Sequence, residues 1–406
     1  MTPARDPYAF QYGFAGCFLG GIVGTVLAVL GLAAGLSSQG RPSRIGMSIT
    51  VIVVDVALAI LAFMAYRWWA PRSRHPSFLQ AFAVAFAIIG LGGLTLCSGA
   101  LWGAFSGVAL ASPVVTAPTQ SIPIGTVRFD KYGPANDPAP ALILIPALSM
   151  SAWEWQSTIG AFATDRVIYA ATIAGFDGTT PASPPYLQQA DAAVMKLVAQ
   201  EQLKRPVLVG HGFGGHLALR LMEEHPDAFA GAVIVDQTPF FPPLQAGQTV
   251  EQRAQSIASF TDGIVSAPDW LYQDQLQSTI ATMVTDTAQA QNVAAHSLRS
   301  DRATVAGAMS EMSLEDLRPN LGTVTAPLLV IAPVSSQAPY MNDRLRALTP
   351  DQLTATVRNY YASEYAGARN VTVQTIANSK DFVMLDQPDA LNAAIKNFLS
   401  TLPAHP

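Results

Sequence analysis

From Thr126 onward, short apolar runs rich in β-formers alternate with helical stretches. The runs TVRFDKY, ALILIPAL, RVIYAAT, PVLVG, GAVIVD, APLLVIA and NVTVQTI read as strands, and 185–202, 214–224, 342–358 and 388–402 read as helices. ALILIPAL is apolar at every position, the pattern of a strand buried on both faces. Alternation of this kind specifies a mainly parallel sheet covered on both sides by helices. One stretch, about 237–317, breaks the rhythm with helical segments such as EQRAQSIASFTDGIV and QLQSTIATMV. It predicts a helical cap over the carboxyl edge of the sheet. The α/β domain is therefore expected to span 126–406.

The first 112 residues read differently. Of the 406 residues 50% are hydrophobic and only 13% charged, and the mean hydropathy is +0.28. The excess sits in three runs, about 12–36, 47–69 and 78–111. Each exceeds the ~20 residues that a helix needs to cross a bilayer. A cleaved signal peptide, with an apolar core of ~7–15 residues, does not account for three successive runs. Three transmembrane helices are expected. Arg5, Arg67, Arg72 and Arg74 fall on one side of them and Arg41 and Arg44 on the other. By the positive-inside rule the N-terminus is cytoplasmic. The α/β domain is then periplasmic or extracellular, on a plasma membrane of the bacterial inner-membrane type. Gly16, Gly20 and Gly24, and again Gly99, Gly103 and Gly107, recur every four residues, a spacing that lets helix backbones approach closely. Asp55 lies inside the second run and is read as a helix-packing residue. Residues 113–125, with three prolines and no charge, read as a linker. The net charge of −5 gives no basis for nucleic-acid binding. Cys17 and Cys97 both lie in the apolar third and make no disulfide framework for the domain.

The stretch PVLVGHGFGG at 206–215 runs a strand into a glycine-rich turn and then into the helix HLALRLMEEHP. LIPALSMSAWEWQ, AGFDG, VIVDQTPF and SKDFVMLDQPDALNAAIKNFL lie before and after it in matching order. With these motifs the domain resembles the α/β-hydrolase family over nearly its whole length. The resemblance implies a nucleophile elbow at 210–214 and an oxyanion turn after the ALILIPAL strand. It implies a catalytic serine, histidine and acid, whose mechanism needs all three. The serine position is Gly212, and the histidine position, aligned through FVMLDQP, is Asp381. Asp236, at the end of VIVD, is a possible acid or a strand-end residue, and PVSSQAP carries no carboxylate.

Two essential positions are thus substituted, and the sequence alone predicts a catalytically inactive, membrane-anchored hydrolase relative. Its expected role is as a structural or accessory subunit of a membrane complex, with the lipid bilayer and other membrane proteins as partners. One alternative is a ligand-binding or sensing domain that uses a vestigial pocket lined by Ala147, Leu148, His211 and Phe213. Another is an active hydrolase of small esters or lipids with a non-standard site. His211 is expected to be a packed residue behind the elbow. His216 is expected on a buried or cap-facing surface and His296 in the cap, Ser149 and Ser151 near the oxyanion turn lack the elbow and the base, and no spacing calls for a metal or a cofactor.

Overall fold

The structure is a computed structural model that describes residues 117–135, 139–240, 249–338 and 341–403. All of them belong to the unit Pro113–Pro406. Eight strands form one sheet: β1 (Gln120–Ile124), β2 (Val127–Tyr132), β3 (Leu142–Ile145), β4 (Ile168–Ile173), β5 (Val207–His211), β6 (Gly231–Val235), β7 (Leu328–Val334) and β8 (Val371–Ala377). Their spatial order is β1-β2-β4-β3-β5-β6-β7-β8. β2 runs antiparallel to β1 and β4, and the strands from β4 to β8 run parallel.

β1 lies inside the stretch expected to be linker, so the sheet begins six residues earlier than the strand pattern indicates. The reason is local. Gly125 adopts φ +57, and Ile124 pairs with Val127, so Gly125 and Thr126 form a two-residue hairpin of the kind that needs a positive φ. β1 carries Pro123, which its edge position tolerates because one side of the strand needs no ladder donor.

The strands bury both faces. Along β5, Leu208 packs into one core and Val207 and Val209 into the other, as a period of two requires. Helices α2 (Tyr186–Gln200), α3 (Phe213–Glu224) and α9 (Pro350–Glu364) cover one face through Leu187, Leu217 and Leu353. Helices α1 (Gln156–Phe162) and α11 (Pro388–Thr401) cover the other through Ile159 and Ile395. Fully burying each such side chain stabilises the domain by about 1.5–3 kcal/mol relative to exposure. The helix expected over 342–358 is two helices, α8 (Asp343–Arg346) and α9. Thr349 caps α9 in a reciprocal box with Gln352, and Pro350 occupies its first turn, so the chain restarts there.

Between β6 and β7 stand four cap helices: α4 (Val250–Ser266), α5 (Asp269–Met283), α6 (Thr287–Ser297) and α7 (Arg302–Leu314). They fill the stretch expected to form the cap. The N-terminus of α2 follows Pro185, which has no capping side chain. Glu311 of α7 supplies the cap instead, accepting from Tyr186 N at 2.9 Å and Leu187 N at 2.8 Å. α10 (Val383–Asp386) is a single turn before α11.

The expected spans at 12–36, 47–69 and 78–111, with Gly16, Gly20, Gly24, Asp55, Gly99, Gly103 and Gly107, lie outside the described residues. Among the described residues no helix is long and apolar enough to cross a membrane. The longest of them, α4, has 17 residues, of which only Ile257 and Thr261 are buried. This finding corrects the expectation of an inner-membrane protein with a periplasmic domain, which is not carried further.

Candidate active site

The strand order reverses at β3, between β4 and β5. Loops leave the carboxyl ends of β3 and β5 there, at the kind of switch point where open α/β sheets bind ligands. The β5 loop is the single residue Gly212, at φ +50 and ψ −113, and α3 begins immediately after it. Its N–H donates to Val235 O at 3.1 Å. The turn is tight enough to demand two further glycines. A Cβ on Gly210 would lie 2.1 Å from Gly214 O, and one on Gly214 would lie 2.2 Å from Ile145 O. At Gly212 a Cβ would meet only Ala147 Cβ, at 3.5 Å. A Cβ at this position would thus make only ordinary van der Waals contact with the β3 loop. Gly212, Leu148, Asp236 and Asp381 all keep accessible surface, whereas His211 and Phe213 beside the turn are buried.

Among the described residues, neither Phe213 N–H nor Leu148 N–H donates a backbone hydrogen bond. Phe213 is the first residue of α3, where N–H groups have no intrahelical acceptor. Each amide therefore offers a donor beside the elbow turn. Ala147 N–H points the other way and donates to Glu154 Oε1 at 3.0 Å.

Four ionisable groups meet under the elbow. His211 Nδ1 lies 3.4 Å from Glu154 Oε1, and both side chains are buried. Burial raises the Glu154 carboxyl against the opposing pull of His211. Burial alone would lower the His211 imidazole, but Glu154, Asp236 and Asp381 around it outweigh that and raise it. Phe382 closes the fourth side, edge-on to the imidazole with ring centroids 5.0 Å apart. His211 is packed behind the turn, as its sequence position suggested.

Asp236 and Asp381 share a hydrogen bond. Asp236 follows β6 with φ +48, and its N–H donates to Ile331 O at 3.0 Å. The Tyr361 hydroxyl donates to its Oδ1. Burial raises its carboxyl, and the Tyr361 hydrogen bond and His211 oppose the shift. Asp381 sits between β8 and α10, and burial followed by the charge of Asp236 pushes its carboxyl up to about 8. Two carboxyl groups in contact oppose each other's ionisation, an arrangement that favours a proton retained between them near neutrality. Asp381 alone, with the ordinary acidity of an aspartate, would be a poor proton carrier at pH 7. Its partner and its burial change that.

A second network fastens the cap to the β3 loop. Asp177, at φ +46, lies 2.9 Å from His296 Nδ1 and accepts from Arg299 Nε at 2.8 Å and from the Ser151 hydroxyl. Burial would raise the Asp177 carboxyl, but the hydrogen bonds from His296, Ser151 and Arg299 outweigh it and hold it at about 2. His296 stacks on Trp153 with ring centroids 4.0 Å apart. Ser149 Oγ lies 2.7 Å from Ser297 Oγ. Ser149 and Ser151 are thus engaged with the cap, and His216 pairs with Glu315 at 2.8 Å on the far side of α3.

The profile described as "Alpha/beta hydrolase family" matches residues 142–394, well over half of the chain. The chain belongs to the alpha/beta hydrolase family. Solved structures share the fold. The enol-lactonase from Burkholderia xenovorans LB400 superposes with a TM-score of 0.55 at 14% identity, covering 69% of this chain and 100% of that one. A hydrolase from Pseudomonas aeruginosa PA01 gives 0.54 at 15% identity, covering 68% and 94%. A thermophilic esterase from Thermogutta terrifontis gives 0.52 at 14%, covering 69% and 98%. No curated protein matches the sequence.

Membership in a family of hydrolases contradicts the expectation of a catalytically inactive accessory subunit. That expectation rested on the joint substitution of the serine position, Gly212, and the histidine position, Asp381, and it is withdrawn. Glu154 and Tyr361 went unnoticed in the sequence, because both pack around the elbow from distant segments. The one sequence signal for Glu154 is a lone carboxylate in the otherwise apolar SAWEW.

Proposed function

We propose that this alpha/beta hydrolase family member hydrolyses small esters, lactones included, with water as the nucleophile and the Asp236–Asp381 pair as base and acid. In this reading Gly212 occupies the family's serine position and Asp381 its histidine position. The observation that carries it is the pair itself: two carboxyl groups in contact, with accessible surface beside the amide donors of the elbow turn. Ionised Asp236, held by Tyr361, takes a proton from a water lodged where a side chain at 212 would stand. The water oxygen bonds to the ester carbonyl carbon. The resulting oxyanion is bound by Leu148 N–H and Phe213 N–H, the kind of preorganised stabilisation that is worth several kcal/mol. Asp381 donates its proton to the leaving alkoxide as the C–O bond breaks. Proton transfer from Asp236 back to Asp381 restores the starting state, leaving one acid and one alcohol. His211, packed behind the pair, stabilises ionised Asp236 when its imidazole is protonated.

The test is steady-state hydrolysis of p-nitrophenyl acetate, p-nitrophenyl butyrate and a δ-lactone by the full chain. Turnover without a burst of p-nitrophenol is expected, since no covalent acyl-enzyme forms. Rates no higher than the buffer blank on all three substrates overturn the reading.

We also propose that the chain divides near residue 113 into an apolar region, 1–112, and the hydrolase domain. The hydropathy of 12–36, 47–69 and 78–111 supports this boundary. Limited proteolysis of the full chain should cut between residues 112 and 119 and leave the rest as a resistant fragment. A first cut inside the sheet would refute it.

A further inference from the structure

The far end of α3, roughly 18 Å from the elbow at a rise of ~1.5 Å per residue, carries a cluster that hydrolysis does not use. Asp191 of α2, Glu224 at the last position of α3 and His225 after it each offer one ligand atom, and these atoms all lie within 4.8 Å of one another. His225 Nε2 is 3.3 Å from Asp191 Oδ1. That separation is the edge of a tetrahedron, roughly 3.3 Å, whose centre lies at the ~2.0–2.1 Å bond lengths of zinc to nitrogen and oxygen. The Asp191 side chain is only 10% exposed, and its Oδ2 accepts no hydrogen bond from any described residue. A buried carboxylate oxygen left in that state is costly. Its nearest cation is Arg220 Nε at 3.9 Å, which itself donates no hydrogen bond.

Arg220 does not complete the charge balance. Its guanidinium is shared among Asp191, Glu224 and Glu315, and only Glu315 has a further partner away from the cluster, His216. Arg220 holds Glu224 Oε1 at 2.5 Å, which leaves the other oxygen of Glu224 for a ligand. A carboxylate bonded outside by arginine and inside by a metal is the usual arrangement of outer-shell support. Glu224 is partly exposed on a flexible stem, so it can close the last distance.

We propose that Asp191, Glu224 and His225 form a zinc site that ties α2 to the end of α3. The fourth tetrahedral position would go to water. The set of one imidazole and two carboxylates suits a borderline first-row cation such as Zn2+ and lacks the all-oxygen shell of calcium. The site is remote from the carboxylate pair and independent of the hydrolase reading.

The experiment uses the tag-free full chain, stripped with a chelator and desalted, and titrated with ZnSO4 by calorimetry. Metal content is measured by mass spectrometry after dialysis. Wild type should take up one equivalent, and Asp191→Asn and His225→Gln should each weaken that binding at least 100-fold. Zinc should raise the Tm of wild type and leave that of His225→Gln unchanged. His225 is a third exposed, so His225→Gln keeps the test decisive if Asp191→Asn fails to fold. No zinc uptake by wild type overturns the proposal. So does uptake that survives in His225→Gln with unchanged affinity, because the metal would then be bound elsewhere in the chain.

Discussion

Replacing Asp381 by asparagine should make the domain more stable, and the gain should grow with pH. In the folded protein the Asp381 carboxyl titrates at about 8, against about 3.9 in an unfolded chain. Between those values the folded state holds a proton that the unfolded state has released. The stability contributed by this raised group is complete below about pH 4 and is lost as pH rises through about 8. The slope is at most about 1.4 kcal/mol per pH unit. Over three units that limits the effect to about 4 kcal/mol. The accessible part of Asp381 and its coupling to Asp236 reduce it to roughly 2–3 kcal/mol. Asparagine is neutral throughout and can still donate an N–H to Asp236. The stability difference between Asp381→Asn and wild type should therefore widen by roughly 2–3 kcal/mol between pH 5 and pH 8. Urea unfolding at pH 5, 6, 7 and 8, extrapolated linearly, measures it. If the two stability curves stay parallel across that range, the two carboxyl groups do not share a proton and the site's electrostatics are wrong as described.

Other perturbations probe the frame around the pair. Gly210→Ala places a Cβ 2.1 Å from Gly214 O; chemical denaturation should show a loss of about 3 kcal/mol or more, and a neutral result would mean the elbow is looser than described. Gly212→Ala meets no such clash and suffers only from its positive φ, so the same measurement should give a loss of about 1–2 kcal/mol. Asp177→Asn removes the partner of His296, Arg299 and Ser151. Because the Asp177 carboxyl is depressed to about 2, its stabilisation is present above about pH 4 and disappears as pH falls through about 2. Acid unfolding of Asp177→Asn should therefore be shallower than wild type in that window, with faster proteolysis of the cap at neutral pH.

The sheet was legible because its strands are apolar on both faces: GAVIVD and APLLVIA admit few other readings. The elbow was legible too, since Gly210 and Gly214 report backbone approaches that only glycine permits. β1 was hidden by Pro123, and only the pairing of Ile124 with Val127 across Gly125 reveals it. The site was half legible. Gly212 and Asp381 stood out as departures from the family pattern, yet their meaning was misread. An aspartate's acidity depends on its neighbours in space, and Asp236 lies 145 positions earlier in the chain. Tyr361, Glu154 and the Asp177–His296 clasp are likewise tertiary facts. No local spacing encodes them.

Catalysis by the carboxylate pair is directly measurable. The direct measurement is kcat/KM for p-nitrophenyl acetate with wild type, Asp236→Asn and Asp381→Asn, each shown to be folded. Loss of a general acid or base typically lowers rates ~10²–10⁴-fold. We predict measurable turnover by wild type and a fall of at least about 100-fold in each variant. Wild-type rates retained in both variants would contradict the central claim.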